Sequence, residues 1–416
     1  MAFRQTKEKA IKYFFEVLVC LFYAWFFLPI VNARLNGAIY NVFFFMCLAI
    51  GMVGLIFLNG IRKSELLITL IVYYFSFFVM YALGFGQIEK TIRITLIFFG
   101  MAIIYFGILD NGGRVRLSRF MLLMFVVTCV TSSVGVLTDN NAARILTDAS
   151  AYEDEQLAFK LKNIGSIYVF QGMVMLVPLF VIMPKRNITK IFSTILLISI
   201  LFVIIGASFT ISLIVYLFAI VISFFIKNLS KKTAKGLLLA IVVTFALVGC
   251  VMFGEHILTW LGNKLLSNEK ISTRIFELRD MLYYGASYGD AGLRSECYMS
   301  SLETFFDNPF GVGAYYTYNP LENGIGYHSQ ILDDLARFGV FALVFYCFYF
   351  MGYYKFLKRE YEKIGCGYIA LIIFLIYFAF LMLNIGFRSA AESILMFCII
   401  PAIPSLIIKK RGNKID

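Results

Sequence analysis

Long apolar runs alternate with short polar connectors along the chain, and this pattern predicts an all-α polytopic membrane protein. A helix needs about 20 apolar residues to cross the hydrocarbon core of a bilayer, because lipid offers backbone groups no hydrogen-bond partner. We identify twelve such runs, at 13–31, 39–58, 66–84, 91–109, 120–137, 166–183, 190–206, 209–226, 236–254, 338–354, 367–385 and 391–408. The seventh and eighth runs, separated only by Ala207 and Ser208, form either a tight hairpin or two short helices that meet at a polar break.

The composition excludes a soluble protein. Apolar residues make up 61% of the 416 residues, charged residues 15%, and the mean hydropathy is +0.83. Soluble domains contain about 45–50% apolar and about 25% charged residues, so this chain requires lipid as its solvent. The eight cysteines show neither a disulfide framework nor a zinc-ligand spacing, and we interpret them as small apolar residues of membrane helices.

The charge distribution predicts the orientation of the spans. The side of the membrane that holds the N-terminus receives 24 basic and 7 acidic residues, a net charge of +17, and the opposite side receives 13 basic and 18 acidic residues, a net charge of −5. Basic connectors lie in the cytoplasm. We therefore expect the plasma (inner) membrane, with both termini cytoplasmic, and the overall charge of +12 needs no nucleic acid as a partner. The first run has basic residues before it but no small-residue cleavage site, so we interpret it as an anchor.

Two connecting segments are longer than the loops of a helical bundle need to be, and both fall on the predicted external side. Residues 138–165 form a moderate loop, and residues 255–336 form a large segment between spans nine and ten. Loops longer than about 12–15 residues are usually functional or disordered. An apolar stripe at helical spacing, Ile271, Ile275 and Leu278, predicts that the large segment is a folded cap of short helices. We treat residues 1–416 as a single multi-spanning domain with these two external loops.

The large external segment holds the residues with the clearest chemistry. Arg294 is expected to open a helix that ends at Asn308-Pro309, after which Gly311-Val-Gly313 permits a tight turn. His328 precedes a helix that Ser329 caps and that runs on into the tenth span. A cation, a titratable imidazole and a flexible turn are thus predicted to meet at the membrane surface.

These two motifs resemble a known family. Arg294 with Asn308-Pro-Phe-Gly-x-Gly313, followed by His328-Ser-x-x-Leu-x-x-Leu-x-x-x-Gly339, is similar to the O-antigen and capsular polysaccharide polymerases and the related O-antigen ligases. The resemblance implies a membrane glycosyltransferase of exopolysaccharide biosynthesis that moves a glycan from undecaprenyl diphosphate to an acceptor sugar, with no metal and no other cofactor. It implies that Arg294 handles the diphosphate and His328 acts on the acceptor. The implied partners are an undecaprenyl-diphosphate-linked oligosaccharide, the bilayer, and chain-length regulator and flippase proteins of the same pathway.

The chain also departs from the family pattern. Members often carry Ser-Arg at a mid-chain polar break, where this sequence has Phe209. The second diphosphate contact is therefore open, with the external arginines as candidates: Arg144, Arg274, Arg279 and Arg388. The missing arginine favours a polymerase over a ligase. Eight of the 25 tyrosines lie in residues 255–336, and we take Tyr315 and Tyr327 as candidates for stacking on sugar rings, although interface belts also enrich tyrosine.

Structural interpretations compete with the functional ones. Arg294 can pair with Glu296 or Asp290. Arg388 either pairs with Glu392 or contacts a lipid phosphate. An ion pair between Asp333 and Arg337 is the expected alternative to a metal site at Asp333-Asp334, and His256 beside Trp260 is typical of an interface anchor.

Four functions compete for the chain as a whole, and one of them, a structural or scaffolding membrane protein, would not need Arg294 and His328. A polymerase and a ligase share the predicted site and differ in the acceptor. A flippase or transporter of the lipid-linked oligosaccharide is the third, but it predicts two matched halves and charged residues in mid-membrane. We see no such repeat, and nearly all charges lie at the predicted boundaries. We therefore favour the polymerase.

Overall fold

The structure is a computed structural model, and it describes most of the chain. The described residues are 2–34, 65–84, 88–107, 109–139, 142–146, 152–183, 187–207, 209–229, 255–266, 269–284, 289–313, 323–387 and 389–405, with single positions between 42 and 52. Every regular element in these ranges is a helix, which confirms the all-α prediction.

We number the helices in chain order. They are α1 (Ala2–Phe27), α2 (Pro29–Arg34), α3 (Glu65–Ala82), α4 (Ile88–Gly107), α5 (Asn111–Thr138), α6 (Ala142–Ile145), α7 (Glu153–Leu161), α8 (Ile167–Met175), α9 (Val177–Ile182), α10 (Asn187–Gly206), α11 (Thr210–Leu229), α12 (Glu269–Tyr284), α13 (Gly289–Asp307), α14 (Gln330–Phe338), α15 (Val340–Glu362), α16 (Tyr368–Leu383) and α17 (Ala390–Ser393). Residues 255–264 are also helical, and α17 continues into a π-helix (Ile394–Ile399) and a 3-10 turn (Ile400–Ala402).

Ten of the twelve predicted runs fall on apolar helices. Four helices are long and apolar enough to cross a membrane, and they lie at Asn111–Thr138, Asn187–Gly206, Thr210–Lys227 and Val340–Glu362. Six shorter apolar helices coincide with the first, third, fourth, sixth, eleventh and twelfth runs. The runs at 39–58 and 236–254 lie outside the described residues, apart from the single positions near 45, so the total of twelve spans stays a prediction.

Three of the predicted runs are interrupted at or near a proline, although each is predicted as a single helix. The first run breaks at Leu28 and restarts at Pro29, and the sixth breaks at Leu176 before Pro178. The twelfth passes from α-helix to π-helix and then to a 3-10 turn that contains Pro401. Proline lacks the N–H that an interior helical bond requires, and its ring clashes with the preceding turn, so a continuous α-helix cannot form there.

The chain forms two compact units. The first comprises residues 1–173, 345–371 and 386–416, and the second comprises residues 174–344 and 372–385.

In the first unit, polar contacts fix α1 and α5 side by side. Near the start of each apolar stretch, Arg116 Nη2 lies 2.7 Å from Glu16 Oε1. At the other end, the Ile30 N–H donates to Asn163 Oδ1 at 3.4 Å, and Asn163 Nδ2 donates to Thr131 Oγ1 at 3.2 Å. The two helices are therefore parallel, as alternating spans one and five require.

In the second unit, α10 and α11 form a tight hairpin, which decides between the two predicted arrangements. Tyr216, early in α11, donates to the Leu197 carbonyl in the second half of α10 at 2.8 Å. Residues 255–264 and α12 form a second hairpin, where Ser272 donates to the Gly262 carbonyl at 2.9 Å. The large predicted loop is thus helical over much of its described length, and its external placement stays a prediction.

Two helix boundaries differ from the prediction. Arg294 does not open its helix, because α13 begins at Gly289 and Arg294 lies in the second turn. An aspartate at position 290 favours this earlier start, since acidic residues stabilise the positive end of the helix dipole. The His328 motif does not run unbroken into the tenth span, because Gly339, with φ of +59°, separates α14 from α15.

Candidate active site

The helix that carries Arg294 packs directly against the segment that carries His328. The Gly326 N–H donates to Ser301 Oγ at 2.8 Å, and Ser301 Oγ donates to Asp333 Oδ1 at 2.8 Å. One turn later on α13, Thr304 Oγ1 donates to the Gly324 carbonyl at 2.8 Å. These bonds fasten residues 324–326 along α13, so both halves of the sequence motif lie in one part of the second unit.

Glycines permit this close approach. A Cβ on Gly326 would lie 2.1 Å from the Cys297 carbonyl oxygen, closer than real Cβ contacts come. Gly311 has φ of +88°, and a Cβ there would lie 2.1 Å from the Arg337 carbonyl oxygen. The glycine turn instead pairs with α14 through the Gly313 N–H, which donates to that same carbonyl at 3.0 Å. Glycine is therefore required at 311 and 326 for steric reasons.

The carbonyl end of α16 joins α13 to the His328 segment. The last carbonyls of a helix have no partner within the helix and need outside donors. Tyr298 on α13 donates to the Leu383 carbonyl at 2.8 Å, Ser329 Oγ donates to the Leu381 carbonyl at 3.4 Å, and the Gln330 N–H donates to the Asn384 carbonyl at 3.1 Å. Both motif halves are thus anchored on the same helix end.

Arg294 has a buried donor available for a ligand. Its Nη1 is buried and has no hydrogen-bond partner, and none of the ion pairs between described side chains involves it. The expected alternative pairing with Glu296 does not occur among these ion pairs, and the side chain of Asp290, the other expected partner, lies outside the described part of the structure. Burial raises the pKa of the Tyr298 phenol, an effect that the Arg294 charge opposes, so Tyr298 stays a neutral donor beside the guanidinium.

His328 follows a strained residue. Tyr327 has φ of +57°, in the left-handed region that side chains other than Asn and Asp rarely adopt. Its ring lies under the Arg337 guanidinium, 5.2 Å from ring centre to Cζ, and Asn323 Nδ2 donates to its hydroxyl at 3.1 Å. Such a conformation costs about 1–3 kcal/mol and is common at functional sites. Ser329 then caps α14 by accepting from the Leu332 N–H at 3.1 Å, which fixes the backbone on both sides of His328.

A network of buried charged and polar side chains stabilises α14. Asp334 is fully buried, and its Oδ1 accepts from Arg337 Nη1 at 3.0 Å. Its Oδ2 accepts from Gln330 Nε2 at 2.8 Å. The sequence pointed to Asp333 as the carboxylate beside Arg337, whereas the ion pair described here is with Asp334, three residues away, which is also on the same helix face.

A comparison with family models finds one match for this part of the chain. Residues 192–347 match the family model described as O-Antigen ligase (Wzy_C). The expected resemblance to the O-antigen polymerase and ligase superfamily is therefore confirmed for this segment, and together with the four membrane-length helices it indicates a multi-pass membrane protein. None of the curated proteins compared with the chain matches it.

The O-antigen ligase match covers all residues of the candidate site that lie on α13, α14 and the segment between them. It runs from Phe192 in α10 to Cys347 in α15, and so includes Arg294, His328 and the glycine turn. It also includes the break between α10 and α11, where Phe209 is buried. The matched segment thus lies almost entirely in the second unit.

The further arginine candidates have different surroundings. Arg274 Nη1 lies 3.1 Å from Glu277 Oε2, and Arg279 Nε donates to Asp280 Oδ1 at 2.6 Å. Both arginines therefore contact a carboxylate of α12 itself. A phosphate would have to compete with that carboxylate for the guanidinium. Arg144 lies on α6 in the first unit, and its side chain is outside the described part of the structure.

Two other candidates, Arg388 and Tyr315, lie outside the described residues, so their roles stay predictions. Tyr327 is buried, with 8% of its surface exposed, and the Arg337 guanidinium lies over the face of its ring. This contact gives Tyr327 a structural role, and stacking on a sugar ring stays a prediction. No group of three His, Cys, Asp or Glu side chains suited to a metal ion occurs among the described residues.

Sequence reasoning missed three contributors to the site. Ser301 gave no signal, because one serine within an amphipathic helix resembles any other. The strain at Tyr327 and the packing of Gly326 against Cys297 depend on long-range contacts that no local pattern reports. The Gly-x-Gly spacing of residues 324–326 is the only local hint of a close backbone approach.

Proposed function

We propose that this protein is a polymerase of bacterial surface polysaccharide. It transfers a glycan from an undecaprenyl diphosphate carrier to the acceptor sugar of another lipid-linked repeat unit. The observation that carries this proposal is the buried, unpartnered Nη1 of Arg294 on a helix fastened to the His328 segment. The family match to residues 192–347 supports the same class of reaction.

In this proposal Arg294 binds the diphosphate. A buried donor without a partner costs about 1–3 kcal/mol, and more when the group is charged, so the site favours a ligand that accepts from it. A phosphate oxygen accepts from guanidinium groups in a planar bidentate geometry and carries the charge that develops as the carrier leaves. Guanidinium groups thus supply the positive charge, and the proposed reaction uses no metal ion.

His328 accepts the proton of the acceptor hydroxyl. The acceptor oxygen then bonds to the anomeric carbon, the bond between that carbon and the phosphate oxygen breaks, and undecaprenyl diphosphate leaves with the electron pair. An imidazole has an ordinary pKa of about 6.5, which suits a general base near neutral pH. The strained Tyr327 and the Ser329 cap hold the backbone of His328 in place, which favours a fixed orientation of its ring.

The O-antigen ligase is the second candidate. The description of the matching family favours it, and the geometry of donor binding serves both reactions equally. The acceptor distinguishes them, because a ligase moves finished glycan onto a different molecule. Phe209, where family members often carry an arginine, is the feature of this chain that favours the polymerase.

The proposed location is the bacterial plasma membrane, with both termini in the cytoplasm and residues 255–336 outside. The charge difference between the two sides of the predicted topology supports this orientation. Chain-length regulator and flippase proteins of the same pathway are the proposed partners. A reporter fused after residue 416 and a second one inserted at the exposed Tyr152 would report opposite sides of the membrane.

The function is tested by deleting the gene and restoring it with variants. Loss of long polymer with accumulation of single repeat units indicates a polymerase. Long polymer left on the lipid carrier indicates a ligase, and repeat units trapped on the cytoplasmic face indicate a flippase. The H328A variant should restore no polymer although it inserts at normal levels. The matched control is H256A, because His256 is the other histidine of residues 255–336 and its side chain is exposed. Normal polymer from H328A would overturn the proposed role of His328.

A further inference from the structure

Three phenylalanines form an exposed patch where α13 ends and α15 begins. Phe306 is 68% exposed, Phe310 is 70% exposed and Phe341 is 60% exposed. The rings of Phe310 and Phe341 are 6.5 Å apart, so the two side chains form a continuous surface. We call Phe306, Phe310 and Phe341 the aromatic patch. Burying a phenylalanine side chain stabilises a protein by about 1.5–3 kcal/mol, so leaving three in water is unfavourable.

The backbone holds the aromatic patch in a fixed place. The Val340 N–H donates to the Pro309 carbonyl at 2.8 Å, which ties the segment after α13 to the first residue of α15. Gly339 makes this contact possible, because a Cβ there would lie 2.0 Å from the same carbonyl oxygen. The Val312 N–H donates to the Ala336 carbonyl at 3.0 Å. The exposure of the patch is therefore a feature of an ordered segment.

The aromatic patch continues a surface that faces lipid. Phe341 lies in the first turn of α15, one of the four helices of membrane length. The same turn exposes Leu343 (46%) and Val344 (55%), as expected where a spanning helix meets hydrocarbon. Phe310 extends this surface beyond the helix through its contact with Phe341, and the exposed Phe306 lies four residues before it, on the last turn of α13.

We propose that the aromatic patch inserts into the bilayer leaflet that surrounds the start of α15. Its occupant is the hydrocarbon of that leaflet, because the patch adjoins helix residues that already require it. Insertion is shallow, since Glu303 and Asp307 are exposed on the same end of α13 and must keep contact with water. The C-terminal end of α13 is thereby seated on the membrane, whatever reaction the protein catalyses.

The test uses tryptophan as a depth probe. The chain contains two tryptophans, Trp25 and Trp260, whose signal is subtracted by comparison with the parent protein. The full-length F310W variant is reconstituted into phosphatidylethanolamine and phosphatidylglycerol vesicles, with and without bromine atoms on the acyl chains. Phe310 is exposed, so the substitution should leave the fold unchanged. Two reference variants are F341W, at the start of the span, and Y152W, at a position that is 83% exposed.

The added fluorescence of F310W should shift to shorter wavelength and lose intensity in brominated vesicles, as that of F341W does. The fluorescence of Y152W should instead lose intensity with aqueous iodide. If F310W emits like Y152W and is open to iodide, the patch faces water and the proposal is wrong. If F310W is shielded from both quenchers, protein covers the patch, for example a second copy of the chain, and the proposal is equally overturned.

Discussion

Substituting Gly326 by alanine gives the sharpest test of how the site is assembled. The added Cβ would lie 2.1 Å from the Cys297 carbonyl oxygen, whereas ordinary contacts begin at 3.4 Å, so the two backbones must separate by about 1.3 Å. Forcing an extra methyl group into such a contact costs about 1–3 kcal/mol. The hydrogen bond from the Gly326 N–H to Ser301 is lost as well, at about 1 kcal/mol.

Function should suffer more than stability in G326A. His328 lies two residues further on, and a displacement of about 1 Å at a catalytic group can lower the rate about 100-fold. We therefore expect a free energy of unfolding lower by about 2–4 kcal/mol and at least a ~100-fold loss of polymer. The assays are thermal unfolding in detergent and the length distribution of surface polysaccharide in the deletion strain.

The matched control for this substitution is G112A. A Cβ on Gly112 would lie 3.4 Å from Arg116 Nη1 and 3.5 Å from Asp110 Oδ1, which are ordinary contacts with side-chain atoms. Alanine is also favoured over glycine within a helix by about 1 kcal/mol, so G112A should retain full stability and polymer. Wild-type polymer from G326A would show that α13 and the His328 segment do not pack as described.

Three further substitutions probe the contacts around and outside the site. S301A removes a hydroxyl that joins two partners, and polymer formation should fall while membrane insertion, followed by immunoblotting, stays normal. R337A leaves the fully buried Asp334 without its cation, which should lower the free energy of unfolding by about 3–5 kcal/mol in a detergent melt; an unchanged melting temperature would contradict the buried pair. Asn163 has φ of +56°, so N163G should be more stable than N163A by about 1 kcal/mol; equal melting temperatures would show that the left-handed conformation stores no strain.

The membrane fold could be predicted because its cause is local. A span needs a run of apolar side chains, and ten predicted runs coincide with apolar helices. Helix breaks were less predictable in position, although proline was visible at each: Pro29, Pro178 and Pro401. A proline removes one helical hydrogen bond. Whether the helix then kinks, changes to a π-helix or ends and restarts depends on the packing around it.

The sequence predicted which residue types belong to the candidate site. The contacts between them depend on the tertiary fold. The motif placed Arg294 and His328 in one segment, because the family pattern is a property of the sequence, and their roles stay predictions. It could not show that Ser301 bonds Gly326, or that Tyr298 and Ser329 both bind the end of α16. Those partners are between 25 and 85 residues apart, and no local preference encodes such distances.

The sequence by itself determined that the chain is apolar enough to require a membrane and where its apolar helices lie, because hydropathy acts at short range. Only the tertiary structure decided that Arg294 keeps a buried, unpartnered Nη1 while Arg274 and Arg279 pair on their own helix. It also decided that Tyr327 is strained and that the aromatic patch is exposed. Burial and pairing are properties of the surroundings, and the surroundings exist only once the helices have packed.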